Sequence, residues 1–376
     1  MFLSINLLTF LTKKVIIYEK SRCGVFFMRD FNYSLLKNLK WDSEIVGYLT
    51  TIHEAKGRQE FFLKQQPEKL NKLVEIAKVK STESSNDIEG IRTTNTRLKR
   101  LMTDKTTPKN RDEEEIAGYR DALNVIHESF EYIPMTANYI LQLHKILYCH
   151  SPKSIGGKFK NVQNYVTQTE NDREVLLFTP PAPYETPEAI DKICAEYNLA
   201  VADGQVDTLI LIAIFIHDFL CIHPFCDGNG RMSRLLTTLL LYRNGYVVGR
   251  YISLESKIAK SKDAYYQALQ KSQYGWEEGK ENAIPFVKYL LGVIIAAYRD
   301  FEDRVQLVSE SDCAFDMVKK AVTSKIGKFT KADIAATCPS ISNSSVESSL
   351  KKLTREGLIE KLGASRATYY VKKENR

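Results

Sequence analysis

The chain has 376 residues, 44% hydrophobic and 26% charged, with a formal net charge of +7. That length allows two or three domains with a substantial core, and the composition is that of an ordinary globular protein. No apolar run reaches about eighteen residues, which excludes a membrane-spanning helix. The charge is uneven: Phe315 to Arg376 holds thirteen Lys/Arg against six Asp/Glu, so the rest of the chain is near neutral. The seven cysteines are odd in number. Cys221 and Cys226 stand five apart, but no second pair completes a zinc set. Buried free thiols in a reducing cytoplasm are the expectation, which makes the expected location cytoplasmic.

Residues 1–27 differ from the rest of the chain. Met1 to Thr12 is apolar and Lys13 and Lys14 come after it, whereas a signal peptide carries its positive charge first and a small-residue cleavage site last. Met28 begins a more polar start, so residues 1–27 are read as a non-native or disordered extension, with a membrane-seeking N-terminus as the alternative. Residues 28–108 form a helical N-terminal region. Asp42 to Gln65 and Pro67 to Lys80 show helical spacing and lead into Ser85-Asn-Asp-Ile-Glu-Gly90. Ser85 and Glu89 are i and i+4, on one helical face. Gly90 is placed to end that helix. Residues 109–305 form the next unit. Arg111 to Phe130 is a helix with acids in its first turn, and Thr136 caps another running to Tyr148. Lys158 to Tyr165 and Val175 to Phe178 are short β-prone runs around a polar turn, Gln168 to Arg173, and read as a hairpin. Pro187 to Ala202 is a helix with proline near its first turn. Asp207 to Cys221 is apolar enough to be central, and its His217 reads as a hydrogen-bonded core residue. Ser256 to Ser272 and Ala283 to Arg304 complete the helices.

One segment between them is dense in chemistry: His223-Pro-Phe-Cys-Asp-Gly-Asn-Gly-Arg-Met-Ser-Arg234. His223 has the pKa range of a general base. Asp227 is a hard oxygen ligand suited to Mg²⁺ bridging phosphates. Gly228, Asn229 and Gly230 let the backbone approach an anion with its N–H groups. Leu235 to Tyr242 is a near-continuous apolar helix, so the loop opens onto a helix N-terminus that favours anions. Arg231 and Arg234, three apart, share a face and can fork onto phosphate oxygens.

This segment resembles the motif of the Fic family at every fixed position. The resemblance implies a mainly α fold, a Fic helical bundle with a small β-hairpin flap. It implies an enzyme, a protein adenylyltransferase that moves AMP from ATP to a Ser, Thr or Tyr hydroxyl, with His223 catalytic and Asp227 holding Mg²⁺. Gly228, Asn229, Gly230, Arg231 and Arg234 would bind the ATP phosphates. The related Doc toxins, which phosphorylate, carry lysine at the position of Gly230. Ser85, Glu89 and Gly90 resemble the family's inhibitory motif, in the class with an N-terminal inhibitory helix. Glu89 would pair with Arg234 and hold ATP in an unproductive pose. The flap, 163–180, would dock a protein substrate by strand pairing, with the chain itself a further candidate target. Tyr265 and Tyr266 stand where the family carries a tyrosine-bearing helix near the nucleotide; lining the adenine pocket and packing in the core both remain open. Two other readings also remain open: an enzyme that removes AMP or works in both directions, and a DNA-binding regulator with a vestigial Fic core.

The tail, 312–376, is read as helix (Asp312–Thr323), helix (Thr330–Thr337), helix (Asn343–Glu356) with Asn343 as cap, and two strands (Leu358–Leu362, Thr368–Val371). That order resembles a winged helix. Lys351, Lys352, Arg355 and Arg366 can contact DNA phosphates, and protein contacts are the alternative. No membrane partner is expected.

Overall fold

The computed structural model describes residues 29–373, apart from 66, 171–172, 310–313, 340 and 365–367. The extension expected at 1–27, and Arg366 in the tail, lie outside the described residues. Helices dominate, and the described strands form two small antiparallel hairpins.

The N-terminal helices are α1 (Ser43–Gln65), α2 (Pro67–Ile88) and α3 (Asn95–Met102). Asp42 caps α1, accepting from the Ile45 N–H at 3.0 Å. Helix α2 runs unbroken through Ser85 and stops at Ile88. Then come α4 (Arg111–Ser129) and α5 (Ala137–Leu147), started by side-chain caps at Asn110 and Thr136. The β1–β2 hairpin (Val166–Glu170, Arg173–Phe178) is next, then α6 (Thr186–Asp203) with Pro187 in its first turn. Helix α7 (Thr208–Ile222) is capped by Asp207 and buried at every residue from Leu209 to Ile222. A helix apolar on all sides belongs at the centre of a domain, and α7 lies there, packed on α6 and on α8 (Asn229–Arg243). Buried Asp218 of α7 accepts from Tyr33 Oη and Trp276 Nε1, both at 2.7 Å. His217 is a buried core residue beside Cys221, and burial lowers its pKa.

The helix expected over 256–272 is two, α9 (Leu254–Lys260) and α10 (Lys262–Gln273). At Ser261 the backbone leaves the helical region, and the hydroxyl bonds to the Lys257 carbonyl and meets Tyr289 Oη. Helix α11 (Ile284–Ser309) packs against α1, α7 and α10. One apolar cluster takes in Ile45 and Ile52 of α1, Leu73 and Ile88 of α2, the apolar residues of α7, and α11 as far as Val305. Helices α1 and α2 thus share a core with the site-bearing ones.

The hairpin register differs from expectation. The first strand is Val166–Glu170, not 158–165, and Gln168 pairs with Val175. Lys160 and Asn164 of the expected strand are instead tied to the 223–225 loop. The tail comprises α12 (Ala314–Ser324), α13 (Lys331–Thr337), α14 (Asn343–Arg355), β3 (Ile359–Leu362) and β4 (Tyr369–Lys372). It has its own small core around Val318, Phe329, Ile334, Leu350 and Ile359. The cap of α14 is Ser342, accepting from the Ser345 N–H at 3.1 Å, rather than Asn343, which is the first helical residue.

Candidate active site

Helix α7 ends at Ile222, and His223 turns the chain with φ 50 and ψ 59, a left-handed conformation uncommon for non-glycine residues. His223 Nδ1 lies 3.3 Å from the Leu220 carbonyl. A carbonyl only accepts, so the ring proton sits on Nδ1 and Nε2 keeps its lone pair. Burial pushes the His223 pKa down to about 4; the Lys160 charge adds to this, while the Leu220 bond and Glu89 oppose it. The ring is therefore neutral at physiological pH and able to take a proton through Nε2.

The loop after His223 is held from three sides. Phe225 is fully buried, its ring stacked on that of His144 at 3.7 Å. His144 Nε2 donates to the Asp227 carbonyl at 3.1 Å while its Nδ1 accepts from the Gly157 N–H at 3.0 Å. Asn229 closes the loop on itself, accepting from the Phe225 N–H at 2.9 Å and donating to its carbonyl at 2.7 Å. From the hairpin side, Asn164 Nδ2 donates to the carbonyls of His223 and Phe225, both at 3.0 Å. Buried Lys160 donates to the Ile222 carbonyl at 3.1 Å, and burial lowers its pKa to about 8.

Helix α8 starts at Asn229, six residues before the apolar run that suggested it, because Gly228 (φ 85) breaks the chain and Asn229 fixes the first turn. Arg231 and Arg234 therefore stand in the first two turns. No side chain caps this helix, whose first N–H groups have no intrahelical acceptor. Asp227 lies just outside, its side chain about one-third exposed (35%). Lys153, Arg231 and Arg111 surround it at 3.4, 3.4 and 3.5 Å. Burial raises its pKa, but Arg231 and Lys153 more than offset that, so the carboxylate stays ionised.

The two arginines have different partners. Arg231 Nη1 pairs with Glu115 Oε2 at 2.7 Å, both side chains buried, and Nη2 donates to Tyr148 Oη at 2.8 Å. Arg234 is buried too; Nε donates to Ser85 Oγ at 2.8 Å, and Nη2 to the Ser85 carbonyl at 2.9 Å and Glu89 Oε1 at 2.7 Å. Glu89 sits one residue past the end of α2, in the turn closed by Gly90 at φ 78. The helix-end and acid-presenting readings of this segment thus hold together. The Glu89 carboxylate lies over Gly230, where a Cβ would come within 2.3 Å of Oε1.

Of the two tyrosines, Tyr265 is buried against Phe286 and Tyr289, while Tyr266 is 44% exposed. Burial raises the pKa of both, and the charges of Glu89 and Arg234 act on both, so the two tyrosines flank the same region and differ in exposure. Sequence reasoning missed Glu115, His144, Tyr148, Asn164 and Lys160. The one available signal was the acid run Glu113 to Glu115 at the start of α4. The other four carry no motif and are recognisable only once the elements meet.

Residues 134–241 match the model of the Fic/DOC family. A Fido domain-containing protein of Dictyostelium discoideum is 30% identical over 115 residues, 30% of this chain and 76% of that protein. The protein adenylyltransferase Fic of Nematostella vectensis is 24% identical over 216 residues, covering 55% of this chain and 44% of that one. The chain spans less than half the length of this relative and of the adenylyltransferases fic-1 of two Caenorhabditis species. In fold it resembles a Fic family protein from Desulfovibrio desulfuricans, with a TM-score of 0.56 at 19% identity, over 90% of this chain and 99% of that one. The chain belongs to the Fic/DOC family.

Proposed function

We propose that this chain is a protein adenylyltransferase held off by its own Glu89. The observation that carries the reading is a neutral, buried His223 beside an uncapped helix N-terminus whose second-turn arginine is occupied by an acid from the turn after α2. In the reaction, a Ser, Thr or Tyr hydroxyl of a protein lying along the 163–180 hairpin attacks the α-phosphorus of ATP. His223 Nε2 takes the hydroxyl proton, the new O–P bond forms, and the bond to the bridging oxygen breaks to release pyrophosphate. The N–H groups from Gly228 to Gly230 and the Arg231 guanidinium face the charge that develops. Asn229 contributes through its backbone, its side chain being committed to Phe225. Asp227 fits Mg²⁺, an ion that takes one or two carboxylates together with substrate phosphates; bound there, the ion would neutralise phosphate charge. Arg234 would order the γ-phosphate once Glu89 leaves it, and Tyr266 supplies a ring face on the adenine side.

The test is transfer of label from α-labelled ATP. Glu89→Gly is expected to raise labelling of the chain or of lysate proteins above wild type, and His223→Ala added to it to abolish labelling. Equal labelling of wild type and Glu89→Gly would refute the inhibition.

The tail's helix order and its Phe329–Tyr370 backbone pairing support reading it as a winged helix. Lys351 pairs with Glu347 at 3.0 Å, and Lys352 lies over the Phe315 ring at 3.9 Å. Such engaged lysines favour protein contact over DNA; salt-dependent anisotropy with a labelled duplex tests this.

A further inference from the structure

A second cluster of chemistry lies on another face of α4. Asp121 points toward the turn after α5, where Cys149 and His150 stand side by side. One ligand atom from each of the three falls within 4.8 Å of the others. His150 Nε2 is 2.6 Å from Asp121 Oδ2, and Cys149 Sγ is 3.9 Å from that same oxygen. The other oxygen, Oδ1, is held by Arg120 at 2.6 and 2.7 Å. One carboxylate oxygen is thus fixed by an outer partner while the second faces a thiol and an imidazole.

The arrangement is built into the packing of the two helices. At Gly118 a Cβ would fall 2.0 Å from the Leu147 carbonyl oxygen, so only glycine lets α5 end this close to α4. That contact sets the turn carrying Cys149 and His150 against Asp121, one helical turn further along α4. No motif spacing announced this, because two ligands are adjacent in sequence and the third is twenty-eight residues earlier.

We propose that Asp121, Cys149 and His150 form a binding site for a thiophilic divalent cation, Zn²⁺ being the ion that matches. A thiolate, an imidazole and a carboxylate are the three donor types zinc accepts, and a three-ligand site leaves a fourth position for water. Tetrahedral zinc with bonds of about 2.0–2.3 Å puts its ligand atoms about 3.3–3.5 Å apart. The 2.6 and 3.9 Å separations bracket that range and the third is no more than 4.8 Å, so rotamer adjustments of about 1 Å admit the ion. On binding, Cys149 gives its proton to solvent, and thiolate and carboxylate balance the dication. Arg120 plays the orienting role that outer hydrogen bonds play at metal sites. The site lies outside the 223–234 loop and does not depend on the activity proposed above.

The experiment uses the full chain, stripped with chelator and titrated with Co²⁺ as the spectroscopic probe. The expected result is a thiolate-to-cobalt charge-transfer band that saturates at one equivalent and is bleached by Zn²⁺. Cys149→Ser should remove the band, and Cys226→Ser, at the other exposed cysteine among the described residues, should leave it. Asp121→Asn and His150→Gln should each weaken binding by at least about tenfold, the size of loss that outer-shell changes alone can cause. Absence of the band in wild type, its survival in Cys149→Ser, or its loss in Cys226→Ser alone would overturn the assignment.

Discussion

Arg231 and Arg234 are one helical turn apart on α8, both buried and both paired with glutamate, yet their surroundings differ. Glu115 reaches Arg231 from inside α4, with both side chains withdrawn from water. Glu89 reaches Arg234 from a turn just past α2, with a third of its side chain exposed (33%). Removing Glu115 would leave Arg231 the Tyr148 hydroxyl and the Asp227 carboxylate, and removing Glu89 would leave Arg234 two hydrogen bonds to Ser85; what differs is that Glu115 is itself buried and Glu89 is not. The first acid is part of the framework, and the second is placed where it can let go.

The contrast between the two acids is tested hardest by Glu115→Ala. It should lower unfolding free energy by about 3 to 5 kcal/mol, the cost of breaking a buried ion pair from one side, read by urea denaturation. It should also abolish AMP transfer even when combined with Glu89→Gly. Activation by Glu115→Ala alone would erase the distinction between the two acids. A smaller effect is expected for Glu89→Gln, which keeps the shape and removes the charge. Labelling should rise, while stability falls less than for Glu115→Ala, because Glu89 is partly exposed and Arg234 keeps its two bonds to Ser85. A large destabilisation would make Glu89 a framework residue after all.

The finest probe is pH. The folded pKa values of His144 and His223, both about 4, lie below the ordinary 6.5 of histidine. The folded chain therefore binds fewer protons than the unfolded chain between those limits. Stability is then full above pH 6.5 and declines as pH falls toward 4. For the same reason kcat/KM of Glu89→Gln should hold level below pH 6.5 and fall only near pH 4. An acid limb at 6.5 would mean that His223 is solvated when Glu89 is gone.

Much of this was legible in the chain. The 223–234 motif and the cap Thr136 are local patterns that stand where the pattern put them, and Ser85 and Glu89 meet at Arg234 although Glu89 lies one residue past the helix. What was not legible depends on tertiary contact. Helix α8 starts early because Asn229 bonds back to Phe225, which no propensity reports. The hairpin slid to Val166 because Lys160 and Asn164 serve the neighbouring loop rather than a strand. Glu115 looked like one more acid favouring a helix start; its pairing to Arg231 appears only when α4 meets α8.

Helix α2 is sewn into the main core through Leu70, Leu73 and Ile88, and Lys262 of α10 caps its last turn by donating to the Ile88 carbonyl at 2.6 Å. Undocking the whole helix to free Arg234 would expose that apolar face and rank with partial unfolding. Turning the Glu89 side chain disturbs none of it, whereas unwinding the turn ahead of Gly90 would expose Ile88 and release the Lys262 bond. If Glu89 is the restraint, its release is a local event at the nanosecond-to-microsecond end of protein motion, biased by whatever small charge or contact reaches that one turn.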